Sequence, residues 1–259
     1  MRIISASIAG IHQATHRGLF GWLAHQDADI ICLQDLRAQA SELEDRPEFE
    51  LPDFFSYFFD APQPHTNGVA IYTRTPPKAM MYGFSLQSGE DMEGRYLQAD
   101  FDNISIASVL APPGGFDPQQ HQAKTRFFMG LQAYLQKVTR KRRRYILCGN
   151  WSVAPAANDI QNAAQYTGKP GFLPEERQWL RQLYQDIGYA DAFRIANQDN
   201  DEFSWWPSGV VGDGDGWRTD TQIVSKELVP LVEYAVLYKA QTFASHTPVI
   251  IDYDLHDFF

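Results

Sequence analysis

Nine short runs enriched in Val, Ile, Leu, Phe and Tyr, each four to seven residues long, constrain this chain more than any other feature. Strands of that length bury an apolar face only when they pair into a sheet that another layer covers. The first two runs, at 2–8 and 29–33, flank a helix-length stretch at 18–26, which reads as a βαβ opening. The others lie at 68–73, 95–101, 104–110, 145–148, 218–224, 234–238 and 249–253. Several follow one another too closely for a helical crossover, so part of the sheet must be antiparallel.

Helical periodicity is clearest over 121–140, where Phe127, Phe128, Leu131, Tyr134, Leu135 and Val138 share one face. A second helix opens at Leu173, with Pro174 in its first turn and Glu175 and Glu176 beside its positive end; Trp179, Leu180, Leu183 and Tyr184 form its apolar stripe. The glycine-rich stretch 209–216 lacks the Lys-Ser/Thr that would make it a phosphate-binding loop. No repeat or linker divides the chain, so a single domain over 1–259 is expected. Cys32 and Cys148 sit inside apolar runs, where a thiol packs as a small hydrophobe. Neither a disulfide nor a cysteine-based metal site is expected, and a reducing cytoplasm fits. No apolar run is long enough to span a membrane, and no cleavable leader is apparent, so a soluble, non-exported protein is expected.

Polar clusters fall at the ends of the expected strands: Ser7, then Gln34 and Asp35, then Gly149 to Ser152, then Ser245 to Pro248. Strand ends are where α/β sheets build sites. In order, the segments ISASIAG, LQDL, GVAIYTR, GRYLQADF, CGNWSVAP, GFLPEERQWL, DAFR, FSWWP, WRTD and SHTPVIIDYD resemble the exonuclease III-like endonuclease/exonuclease/phosphatase family over essentially the whole chain. That resemblance implies an α/β fold, a four-layer sandwich of two mixed sheets flanked by helices. It also implies phosphodiester hydrolysis with a divalent metal.

Position by position, however, the implied chemistry is largely missing. Ser7 replaces the family's Asn, and Asp35 replaces its metal-binding Glu with a reach about 1.5 Å shorter. Leu110 stands for a Tyr, Asn150 for the Asp that moves protons, and Ser152 for a neighbouring Asn. In the closing segment His246 remains, but Ser245 replaces the Asp expected to orient it; Asp220 is retained. Asn150 cannot accept a proton at neutral pH, so the general acid/base step has no agent. No catalysis and no bound metal or other cofactor are expected. For the survivors, bland roles carry weight: His246 as a hydrogen-bonded residue at a core edge, Asp35 and Asp220 in capping or pairing with an Arg, Trp205 and Trp206 in packing.

The charge distribution points elsewhere. The chain carries 22 Lys plus Arg against 32 Asp plus Glu, a net charge of −10, which excludes a strongly basic nucleic-acid coat. Yet Lys137, Arg140, Lys141, Arg142, Arg143 and Arg144 place six cations in eight residues. One or two would complement a helix end, whereas six suggest a contact with a polyanion or an acidic partner. With this run, GFLPEERQWL and FSWWP, the chain resembles the catabolite repression control branch of the family. That narrower resemblance implies a non-enzymatic translational co-repressor. Its implied partners are the RNA chaperone Hfq and, through Hfq, A-rich mRNA near ribosome-binding sites, and it leaves room for a homodimer and none for a membrane. Asp35, Asp220 and His246 keep a second reading open, a metal-dependent phosphodiesterase with an altered site. A third, autonomous RNA binding, is disfavoured by the acidic balance and the lack of an RNA-module motif.

Overall fold

The computed structural model describes residues 1–44, 46–85, 89–141 and 143–255. The first part of the chain forms β1 (Arg2–Ser7), α1 (Ile11–His16), α2 (Leu19–Leu23), β2 (Ile30–Gln34), α3 (Ala40–Leu43), β3 (Phe55–Phe59), β4 (Val69–Thr73), β5 (Ala79–Tyr82), β6 (Tyr96–Asp100) and β7 (Ile104–Leu110). The rest forms α4 (Pro118–Thr139), β8 (Arg144–Asn150), α5 (Pro174–Gln182), β9 (Tyr189–Asp191), α6 (Ala192–Ala196), β10 (Asp220–Ser225), β11 (Val232–Leu237) and β12 (Val249–Tyr253).

Two six-stranded mixed sheets result, in the orders β11-β12-β1-β2-β4-β3 and β5-β6-β7-β8-β10-β9. Among the described residues, the pairs β1/β2 and β7/β8 are parallel and the other pairs run antiparallel. One core lies between the sheets, where Ile3, Cys32, Ile71 and Ile251 face Leu97, Ile106, Cys148 and Val224. A second packs Leu19, Phe20 and Leu23 onto Ile4, Ile31 and Leu33, and a third packs Phe127, Phe128, Leu131 and Trp179 onto Val109 and Leu147. Strands covered on both faces lose the apolar/polar alternation, which is why β2 and β7 are buried along their whole length. The expected four-layer sandwich is therefore the architecture found.

Polar side chains cross the inter-sheet core and fix the alignment of the sheets. Gln34 Nε2 donates to Ser108 Oγ at 2.9 Å, Ser108 Oγ donates to the Leu33 carbonyl at 2.9 Å, and Gln222 Nε2 donates to the Ile3 carbonyl at 3.0 Å. Buried groups of this kind are costly unless paired, so they allow little sliding of one sheet on the other. That alignment brings the end of β1 next to the end of β8. No helix among the described residues is long and apolar enough to cross a membrane.

Candidate functional site

β1 ends at Ser7, β7 at Leu110 and β8 at Asn150, while β10 begins at Asp220. Strand register sets Asn150 between Leu110 and Asp220. The β7/β8 pairing is unusually intimate here: a Cβ on Gly149 would come 2.4 Å from the Val109 carbonyl oxygen, so only glycine fits. Asp35 follows β2 and His246 precedes β12, each at the same edge of the sandwich.

The expected convergence occurs. Asp35, Leu110, Asn150 and Ser152 line a cavity of about 300 Å³, and Asn150, Ser152, Trp205 and His246 line an adjoining one of about 330 Å³. Asn150 joins the strand ends: its Nδ2 donates to Ser7 Oγ at 3.2 Å, and its Oδ1 accepts from the Ser152 backbone N–H at 2.9 Å. Leu110 is buried and offers only hydrocarbon. The buried Lys124 stabilises the Ser152 turn from below, donating to the Ser152 carbonyl and to Glu176 Oε1, each at 2.8 Å. Burial pulls the Lys124 ammonium below its ordinary pKa while Glu176 opposes that pull.

Two expectations need correction. Ser245 does not leave His246 without an orienting carboxylate, because Asp220 fills that role: its Oδ2 lies 2.8 Å from His246 Nδ1. The same oxygen accepts from Ser204 Oγ at 2.6 Å and Thr219 Oγ1 at 3.0 Å, so the carboxylate is fixed in place and the imidazole with it. Ser245 instead lies beside Gly209, whose Cβ would sit 3.6 Å from its own. The tryptophan pair also divides: Trp206 packs in the interior, while Trp205 lines the cleft with its ring 6.2 Å from that of His246.

Arg37, a residue the sequence did not single out, decides the state of Asp35. Its Nε and Nη2 donate to Asp35 Oδ1 and Oδ2 at 3.1 and 2.8 Å, a fork-to-fork pair. A divalent metal of the kind the resemblance implies takes oxygen ligands and usually one or two carboxylates. Here both Asp35 oxygens are held by a guanidinium, and Asn150 Oδ1 is engaged by Ser152. Among the described residues no three His, Cys, Asp or Glu side chains are grouped to share an ion. As engaged here, Asp35 and Asn150 do not fit that metal, although Asp220 Oδ1 is buried without a hydrogen-bond partner among the described residues. Chemically, the cleft offers an oriented imidazole and, around Asp35, the basic side chains of Arg37, His65 and Arg95. These side chains could hold a phosphate group, while Asn150, an amide, cannot itself take a proton from water at neutral pH.

The basic run is not uniform either. Lys137 lies in the last turn of α4, Arg140 is its C-cap residue, and both are exposed, as is Lys141. Arg142 lies outside the described residues. Arg143 is not a surface cation: it donates to Ser105 Oγ at 2.5 Å and to the Phe101 and Ile104 carbonyls at 2.6 and 3.2 Å, with Asp100 3.5 Å away. Turns leave carbonyls without strand partners, and the fork of Arg143 satisfies those of the β6–β7 turn. Arg144 opens β8 and is half-buried. The run thus sits at one end of β8 and the cleft at the other, about 20 Å apart at ~3.3 Å per residue.

Comparison with known proteins places this site in context. The model of the Endonuclease/Exonuclease/phosphatase family matches residues 11–240. An exodeoxyribonuclease of Bacillus subtilis is 27% identical over 253 residues, covering 96% of this chain and 98% of the relative. Exodeoxyribonuclease III of Haemophilus influenzae is 31% identical over 246 residues, 88% of this chain and 89% of the relative. Among solved structures, an AP endonuclease from Archaeoglobus fulgidus superposes with a TM-score of 0.86 at 22% identity, covering 98% of this chain and all of that one.

Proposed function

This chain belongs to the endonuclease/exonuclease/phosphatase family, and from that premise we propose that it is a member without hydrolytic activity, a translational co-repressor of the catabolite repression control (Crc) type. On this reading it acts with Hfq on A-rich mRNA near ribosome-binding sites. The observation that carries the proposal is Asn150. At the centre of the cleft, an amide bonded to Ser7 and Ser152 stands where water activation needs a carboxylate. Arg37 supports it by holding the one carboxylate at the metal position. The exposed cations Lys137, Arg140 and Lys141 supply a separate surface for a polyanion or an acidic partner, on a molecule too acidic overall to bind RNA well alone.

A mobility-shift assay with A-rich RNA tests the assembly. The protein alone should shift little RNA, Hfq alone should shift some, and both together should give a slower, tighter complex. A shift by Hfq that the protein leaves unchanged rejects the proposal.

One observation favours a second reading, a metal-dependent phosphodiesterase: the Asp220–His246 contact is intact and two buried hydroxyls, of Ser204 and Thr219, hold it. Cleavage of abasic duplex DNA or RNA that copurifies with the protein, needs Mg²⁺ or Mn²⁺ and disappears in His246→Ala would establish that reading. The co-repressor proposal expects no cleavage above a mock purification.

A further inference from the structure

Away from the cleft, α5 and the turn that follows it, α6 and the loop after β8 line an open cavity of about 520 Å³. Arg177, Arg181, Arg194 and Arg218 line it, against two carboxylates, Asp159 and Asp191. In a chain of net charge −10, this concentration of guanidinium groups around one concavity needs a cause.

An internal ion-pair network accounts for only part of it. Asp159 accepts from Arg218 Nε at 2.8 Å and from Arg194 Nη2 at 2.7 Å; Asp191 caps α6 and lies 2.8 Å from Arg218 Nη2. Once both carboxylates are engaged, donors are left over. Arg218 is 1% exposed, yet its Nη1 has no hydrogen-bond partner among the described residues. Arg177 Nε and the Tyr184 hydroxyl, both buried atoms in the same wall, have none either. The guanidinium carbon of Arg177 sits 4.3 Å above the Phe172 ring, which fixes its plane, and Arg181 is exposed beside it. Unpartnered buried donors in the wall of a cavity with a positive surplus are what an anion site requires.

We propose that this cavity binds a small phosphomonoester, at a site separate from the nuclease-type cleft and from the basic end of α4. The volume lies within the range of small-molecule pockets. Planar guanidinium forks match the three terminal oxygens of a phosphomonoester, and its double charge answers the surplus of two cations. A nucleic-acid backbone is the poorer occupant, since each of its phosphates carries one charge and is hindered on both sides, while Arg218 lies beneath the surface. Burial, reinforced by Asp191, raises the Tyr184 pKa well above its ordinary value, so its hydroxyl remains a donor at any physiological pH. The site also lies back to back with the cleft. Along the segment 217–219, Trp217 and Thr219 line the cleft whereas Arg218 lines this cavity.

The test is calorimetric titration of the intact protein with ribose 5-phosphate and with orthophosphate. A saturable site of one per chain is expected, weakened by about tenfold or more in Arg177→Gln/Arg181→Gln, because charge-assisted bonds are the strong ones. Tyr184→Phe should weaken it severalfold while leaving thermal stability unchanged or raised, since the hydroxyl satisfies no protein group. Arg140→Glu/Lys141→Glu should bind the ester as wild type does. Absence of saturable binding by both probes, or undiminished affinity in the Arg177/Arg181 variant, overturns the proposal. So does an oligoadenylate with hydroxyl ends that displaces ribose 5-phosphate on equal terms.

Discussion

The two ends of β8 carry opposite kinds of polar residue. At its carboxyl end, Asn150, Ser152, the neighbouring Asp35 and one oxygen of Asp220 are engaged by other protein groups, so most of the positions that would do chemistry spend their hydrogen-bonding capacity internally. At its amino end, Arg143 is likewise engaged, but Lys137, Arg140 and Lys141 project from the last turn of α4 and the residues beyond it. The difference teaches that neither lost catalysis nor a basic patch can be read from residue type alone. What matters is which donors and acceptors remain available once the fold has used its share.

If the cleft end is a rigid scaffold, breaking its supports should be far more damaging than breaking those of the basic end. The largest effect is expected at Asp159, where Asp159→Ala leaves Arg218 buried with one fewer carboxylate and should cost about 3–5 kcal/mol by urea unfolding. Burial pushes the Asp159 carboxyl up, but Arg218 and Arg194 outweigh it and hold it below its ordinary pKa. Its contribution is therefore complete above the unfolded value of about 4 and is lost as pH falls through the lower folded value. Urea midpoints between pH 6 and pH 3 should fall steeply in the wild type and less steeply in Asp159→Ala.

Next in size is Gly149→Ala, whose new Cβ meets the Val109 carbonyl and should cost about 1–3 kcal/mol, visible as a lowered Tm. Arg143→Ala should cost about 1–3 kcal/mol by leaving the β6–β7 turn carbonyls less well satisfied. Arg140→Glu with Lys141→Glu, by contrast, should change stability by less than about 0.5 kcal/mol, as exposed charges do. If Arg143→Ala proved as harmless as the Arg140/Lys141 pair, the division of the run into a structural and a surface part would fail.

Much of the fold was legible because it depends on local pattern. Each of the nine apolar runs became a strand, and the face read over 121–140 is the buried face of α4. β3, β5 and β9 were missed; all are edge strands, and β3 and β5 are largely exposed while β9 has three residues, so their sequences carry little burial signal. The stretch at 18–26 holds one short helix, α2, and the helix α1 before it was missed; Gly18, in a left-handed conformation (φ 89°), separates the two. The start of α4 was placed three residues late, although Asp117 before Pro118 is a readable cap signature. The site residues were legible as strand-end positions. Their partners were not, since Asp220 and His246 meet across two sheets, and nothing in the order of residues says that Arg37 turns back onto Asp35 through two positive-φ positions, Asp35 and Arg37, on either side of Leu36. Arg143 failed for a related reason: a run of like charges shows composition, whereas its hydrogen bonds to the 101–104 turn exist only after β6 and β7 pair.

The most direct test of the account sets the two ends of β8 against each other in one assay. Arg140→Glu/Lys141→Glu and Asp35→Ala/His246→Ala, each shown to melt cooperatively, are titrated into Hfq and A-rich RNA over a range of salt. The account predicts that the charge-reversed variant loses about tenfold or more in assembly and has a shallower salt slope, while the cleft variant matches the wild type. Loss of assembly in the cleft variant, with the charge-reversed protein unaffected, would contradict it.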